Sequence, residues 1–242
     1  MTNFILVPGM WLGGWAWDAV ATRLREAGHD VTALNLDLTA DATLDTHIEQ
    51  VTSAVVGVSD VVLVGHSYGG LPVRGAADRL PGGVARVIYV DSGPVPDGMS
   101  QADMGGPPTV DGAFIPPPSF DPADDPVQFA GLEGMTGWIR ARAVPHPVAS
   151  AVSPLKLGSA AQPPTDLVCT TFSALVVQQM IEEGHPFFSG LDRRDYRVHE
   201  LPTGHWAMFS RPDDLATLLD SLVSGQPGAG FGQGGGGFDP RR

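Results

Sequence analysis

The sequence predicts an α/β domain with a mostly parallel sheet, helices on both faces and one long inserted segment. Three observations predict it. Short apolar runs alternate with stretches of helical periodicity as far as Val90. One run, Val61-Val62-Leu63-Val64, is apolar at every position, as a strand covered on both faces must be. The alternation then stops at Pro94 and resumes near Asp166.

Phe4–Val7 reads as a strand and Pro8-Gly9 as the loop that leaves it. Trp17, Val20, Ala21 and Leu24 keep helical spacing, and Gly28 is placed to end that helix. Asp30–Leu36 is the next strand. Leu44, Ile48, Val51 and Val55 mark a helix with Asp41 or Thr43 as its cap. Asp60–Val64 is a strand, Ala76–Leu80 lies in a helix stopped by Pro81-Gly82-Gly83, and Arg86–Val90 is a strand. The Pro- and Gly-rich stretch Pro94–Pro164 carries helical patches near Val127–Leu132 and Thr136–Arg142 but no strand signal. It is too long for a connector and reads as a cap. Asp166–Thr170 and Tyr196–Leu201 are strands, Leu175–Glu183 and Asp213–Val223 helices. The organisation expected is a core of 1–93 and 165–224, a cap of 94–164, and a disordered glycine-rich tail of 225–242.

The chain of 242 residues fits one domain with a sizeable core. Its net charge of −13 argues against nucleic acid and anionic membrane as partners. No apolar run is long enough to span a bilayer. The amino terminus lacks a basic leader before Phe4–Val7, and Cys169 is the single cysteine, so a cytoplasmic location is expected. A small molecule is the expected partner, and a homodimer is left open. No metal cluster, Walker loop or dinucleotide fingerprint is present, so no cofactor is expected.

The chemistry centres on Gly65-His66-Ser67-Tyr68-Gly69, a G-x-S-x-G between a strand and a helix. Such a serine stands on a sharp turn, with the helix amino terminus beside it to meet an oxyanion. A serine hydroxyl needs a base. His205 follows the last strand and so leaves the same edge of the sheet. His66 should point away from Ser67, and His29, His47, His146, His185 and His199 lack a matching context. Of these, His146 and His185 read as solvated loop residues able to line a pocket.

The segments Pro8–Trp17, Gly65–Gly70, Val87–Asp91 and Gly204–Met208 resemble the α/β-hydrolase superfamily, in particular small esterases similar to plant methylesterases and hydroxynitrile lyases. The resemblance implies an α/β-hydrolase fold with an inserted cap, and a cofactor-free serine hydrolase acting on a carboxylic ester, lactone or thioester. It places the oxyanion-hole N–H groups on Met10 and Tyr68. Pro8 stands where the family usually has His, but it is not the donor position. Gly9 and Trp206 replace the Thr and Lys of the lyase branch, which favours ester hydrolysis.

The triad acid is out of place. The family's aspartate would fall on Phe172, so Asp91, at the end of the preceding strand, is the candidate; the alternative is a structural loop carboxylate. A pocket for an apolar or aromatic group is expected from Trp11, Trp206 and Trp138. Two other readings stay open: a lyase or cyclase using the Ser-His pair for proton transfer, and a non-catalytic receptor.

Overall fold

The computed structural model describes residues 1–105, 112–158, 162–192 and 195–224. The first half runs β1 (Asn3–Val7), α1 (Asp18–Glu26), β2 (Asp30–Ala33), α2 (Leu44–Val55), β3 (Val61–His66), α3 (Gly70–Arg79) and β4 (Arg86–Val90). Between β4 and the next core strand lie α4 (Gln101–Gly105), β5 (Phe114–Ile115), α5 (Thr136–Arg140), β6 (His146–Pro147) and α6 (Val148–Val152). The core resumes with β7 (Thr165–Cys169), α7 (Ala174–Glu182), β8 (Tyr196–Glu200), α8 (Ala207–Ser210) and α9 (Pro212–Ser224).

The main sheet has the order β2-β1-β3-β4-β7-β8. Every pairing in it is parallel. All carboxyl ends therefore emerge along one edge, and the loops after β1, β3, β4, β7 and β8 meet there. Side-chain alternation splits the interior into two layers. Ile5, Val7 and Leu63 face a core with α2, α3 and α7 residues such as Val51, Val73 and Ile181. Phe4, Leu6, Val62 and Val64 face the other, with Val20 and Leu24 of α1 and Leu215 and Leu219 of α9. This two-sided burial is why β3 is apolar throughout. Gly28 ends α1 at φ +91°. Thr43 caps α2 through a reciprocal bond pair with Thr46.

The inserted segment differs from its sequence reading, and α4 and α6 fall outside the two helical patches read there. Phe114–Ile115 and His146–Pro147 form a short antiparallel pair, built from two-residue pieces too brief to show alternation. Val127–Leu132 forms turns, not helix: Asp125 Oδ1 accepts from the N–H groups of Val127 and Gln128, at 3.0 and 2.9 Å, and closes the chain locally. The tail expected over 225–242 lies outside the described residues. No helix among the described residues is long and apolar enough to cross a membrane.

Near the amino end of β7, away from the convergent loops, the fully buried Asp166 meets His199 Nε2 at 2.6 Å, Arg197 Nε at 2.9 Å and Arg86. Burial alone would raise its pKa, but hydrogen bonds from His199, Arg197 and Arg86 outweigh that and hold it below the ordinary carboxylate value. A depressed folded-state pKa stabilises the protein fully above the unfolded value of about 3.9, and the contribution is lost as pH falls through the folded value. Asp166→Asn should thus cost about 1–3 kcal/mol at pH 7, where donors lose a charged acceptor. The gap between variant and wild type, read from urea melts, should shrink below about pH 4. A gap that stays constant down to acid unfolding would contradict this account.

Candidate active site

β3 runs straight into the turn that carries Ser67. Ser67 has φ +50°, a left-handed conformation for a residue with a side chain. Small neighbours make the turn possible. A Cβ at Gly65 would lie 2.5 Å from the Gly69 carbonyl oxygen, and one at Gly69 would lie 2.6 Å from the Val7 oxygen and 2.7 Å from that of Pro8. The β1 loop is thus pressed against the turn, and a Cβ at Gly9, next to Met10, would lie 3.1 Å from Ser67 Cβ. The Met10 N–H makes no hydrogen bond among the described residues. Tyr68 is in the first turn of the helical segment after Ser67, where N–H groups lack intrahelical partners. Trp11 and Asp91 also have positive φ, +66° and +44°, in the loops after β1 and β4. Three strained positions therefore gather at one edge of the sheet.

His205 lies in the loop after β8 and donates its backbone N–H to the Gln128 carbonyl at 2.8 Å. Gly204 is required beside it, because a Cβ there would lie 2.6 Å from the Ala130 oxygen. The imidazole Nδ1 is 2.6 Å from Asp91 Oδ2. Asp91 Oδ1 accepts from the backbone N–H groups of Thr170 and Thr171, each at 3.1 Å. The Thr171 hydroxyl adds bonds of 3.1 and 2.9 Å to the two oxygens. Burial would raise the Asp91 pKa, but these hydrogen bonds, that with His205 foremost, hold it far below the ordinary carboxylate value. The carboxylate is therefore ionised and accepts only, so Nδ1 of His205 carries the proton of this bond, and the neutral imidazole is held in the tautomer whose lone pair is on Nε2. Ser92, next to Asp91, donates its hydroxyl to the Ser67 carbonyl at 2.7 Å and ties the two loops together. Ser67 Oγ makes no hydrogen bond within 3.5 Å among the described residues.

Two further groups were not legible in the sequence. His66 is completely buried, and its ring centroid is 4.6 Å from that of His205. Its Nε2 donates to the His205 carbonyl at 2.8 Å, and burial, with the neighbouring His205, pushes its pKa down to about 3. It is a neutral backing for His205. On the other side, the buried phenol of Tyr68 meets His47 Nδ1 at 2.6 Å, and His47 Nε2 donates to the Asp37 carbonyl at 2.6 Å. The ring of His146, from β6, stands edge-on to Tyr68 with centroids 4.6 Å apart, and its Nε2 bonds Ser150 Oγ at 2.9 Å. His146 is fully buried, so the solvated position expected for it is corrected; burial pushes its pKa down to about 3. His47 had a signal: it falls on the apolar stripe of α2, between Leu44 and Val51.

A cavity of about 750 Å3 adjoins Asp91, Ser92 and His205, but Ser67 does not line it. Trp11, Trp206 and Trp138, expected around a pocket, do not line it either. Trp206 stacks on Phe129 and packs edge-on to Phe120 in the core. Trp138 sits on the surface against Trp15 and under Arg142. Trp11 donates its indole N–H to the Ile115 carbonyl at 3.1 Å and packs on Phe120. These indoles pin the inserted segment to the core, a packing role that residue type alone does not separate from substrate contact. No group of three or more His, Cys, Asp or Glu side chains among the described residues is arranged to hold a metal ion.

The chain belongs to the alpha/beta hydrolase family, whose model matches residues 4–218. It is 30% identical to a carbendazim hydrolyzing esterase of Nocardioides sp. (strain SG-4G), over 92% of this chain and all of that one. It is 37% identical to methylesterase 8 of Arabidopsis thaliana, over only 37% of each chain. In fold it resembles an extracellular alpha/beta-hydrolase from a Paenibacillus species, with TM-score 0.72, 21% identity, and 91% of this chain and 98% of that one covered. It also resembles the Arabidopsis methylesterase MES16, with TM-score 0.66, 21% identity, and coverage of 93% and 100%.

Gly69→Ala tests the close approach that builds the turn. The methyl group meets backbone oxygen on two sides and has nowhere to go. The variant should lose about 1–3 kcal/mol of stability in a denaturant titration, the usual result of overpacking. An unchanged midpoint would mean that the β1 loop is free to retreat from Ser67.

Proposed function

We propose that the protein hydrolyses carboxylic esters through an acyl-enzyme on Ser67, with His205 as general base and Asp91 as the acid that orients it. The observation that carries this reading is the 2.6 Å bond from His205 Nδ1 to a carboxylate already held by Thr170 and Thr171. It selects the tautomer of the neutral imidazole that has its lone pair on Nε2, the form a base needs. Ser67 Oγ attacks the ester carbonyl while Nε2 takes its proton. The N–H groups of Met10 and Tyr68 receive the oxyanion. His205 returns the proton to the departing alcohol, and a water activated by the same nitrogen releases the acid. The open Ser67–His205 geometry fits an unliganded site that tightens around substrate. The esterase named among the relatives supports the same reaction class.

The case for a lyase or cyclase rested on Phe172 at the family's acid position. Asp91 beside His205 supplies the carboxylate missing at that position, which supports the hydrolytic reading.

A fluorophosphonate should label wild-type protein and leave Ser67→Ala unlabelled. The variant should retain no more than the roughly 10³–10⁴-fold acceleration over water that binding and an oxyanion hole supply without a nucleophile. Normal turnover of a p-nitrophenyl ester by folded Ser67→Ala would end the proposal.

Asp91→Asn separates an orienting acid from a structural carboxylate. The amide presents a donor to Nδ1 and favours the wrong tautomer, so kcat should fall by up to about 10⁴-fold. Circular dichroism should confirm a folded protein. A kcat within a few-fold of wild type would show that His205 does not depend on Asp91.

A further inference from the structure

The cavity of about 750 Å3 touches the His205–Asp91 pair and stops short of Ser67. That asymmetry has a chemical meaning if His205 is the general acid of an ester hydrolase, the reading on which this inference rests. The group that accepts its proton is the leaving alkoxide oxygen, so whatever that oxygen carries must extend past His205. The acyl carbon is bonded to Ser67 Oγ, and its substituent leaves from there.

The walls define what fits. Met99, Met104, Met180, Phe172, Phe187 and Phe188 supply deformable and flat apolar surface. The aromatic wall is pressed close to the acid, since a Cβ at Gly93, two residues past Asp91, would lie 2.5 Å from Phe187 Cε1. Around the opening the apolar surface continues outward in the exposed Phe172 and Val127. The charged side chains in the lining, besides Asp91, are those of Asp103 and Asp125; no lysine or arginine lines it among the described residues. A substrate carboxylate placed there would lose hydration and meet the carboxylates of Asp103 and Asp125.

We propose that this cavity takes the alcohol portion of the ester, and that the preferred substrates are esters of large, apolar alcohols without negative charge. The space exists because the loop after β7 offers N–H groups and a hydroxyl to Asp91, leaving Phe172 to form a wall.

The test compares two series of esters with the full-length protein. In one, the acyl group is acetyl and the alcohol runs through methyl, butyl, hexyl and benzyl. In the other, the alcohol is methyl and the acyl chain grows by the same steps. Each methylene buried in the cavity should raise kcat/KM about fourfold along the alcohol series, and the acyl series should rise far less. An acetate whose alcohol ends in a carboxylate should be hydrolysed at least about tenfold less efficiently than its neutral counterpart. Met180→Trp, which fills the space, should flatten the alcohol series. Phe172→Ser, at an exposed position that tolerates change, should weaken it. A steeper acyl series, or an alcohol preference untouched by both variants, overturns the inference while ester hydrolysis stands. An unlabelled Ser67 with no turnover in either series overturns the hydrolase reading and this inference together.

Discussion

The bond between His205 Nδ1 and Asp91 Oδ2 depends on a buried carboxylate remaining charged. An ionised side chain in a dry environment survives only if its oxygens are occupied. Here the occupants come from the next strand over: two N–H groups and a hydroxyl from Thr170 and Thr171. β4 and β7 are hydrogen-bonded neighbours, and the Asp91 N–H donates to the Val168 carbonyl. The loop after β7 therefore has to run beside Asp91. The parallel sheet sets the distance, and the two loops meet across it with the carboxylate on one side and its donors on the other.

The same sheet explains how much was legible in the sequence. β3, α2 and α9 have strong periodicity or uninterrupted apolarity, and they stand within a residue or two of where the pattern put them. Ser67 and His205 were readable because each sits in a local motif tied to a strand end, and parallel strands send those ends to one edge. Asp91 is a candidate only through the family resemblance, which puts Phe172 at the usual acid position and leaves Asp91, at the end of the preceding core strand, as the alternative carboxylate. Its hydrogen-bond shell was not readable, because it is made largely of backbone N–H groups, which every residue but proline possesses.

Other differences between the sequence reading and the structure share a cause. Trp11, Trp138 and Trp206 were assigned to a pocket because aromatic residues near a candidate site suggest one, yet each is occupied with joining the inserted segment to the core. The sequence reads His66 as pointing away from Ser67 and His146 as a solvated loop residue able to line a pocket, yet both are buried against residues of the site. In each case the deciding fact is a contact between segments far apart in sequence. The β5–β6 pair escaped for the opposite reason: its strands are too short for any local pattern.

The position of the carboxylate also bears on how the site relates to the space around it. With the acid on the loop after β7, that loop would have to turn inward and aim a side chain at Nδ1. With the carboxylate on the residue that follows β4, the loop after β7 contributes two backbone N–H groups and the Thr171 hydroxyl, and the Phe172 side chain is released from that duty. Phe172 illustrates the result: it is 59% exposed and lines the cavity while its neighbours Thr170 and Thr171 face Asp91. Thr171 both holds the charge and lines the cavity, whereas Phe172 serves the wall alone. A change at Phe172 can alter the wall without disturbing a donor, whereas a change in the path of the backbone at Thr170–Thr171 disturbs both. On this arrangement Phe172 is free to vary, whereas the Thr171 side chain and the course of the loop are fixed by Asp91.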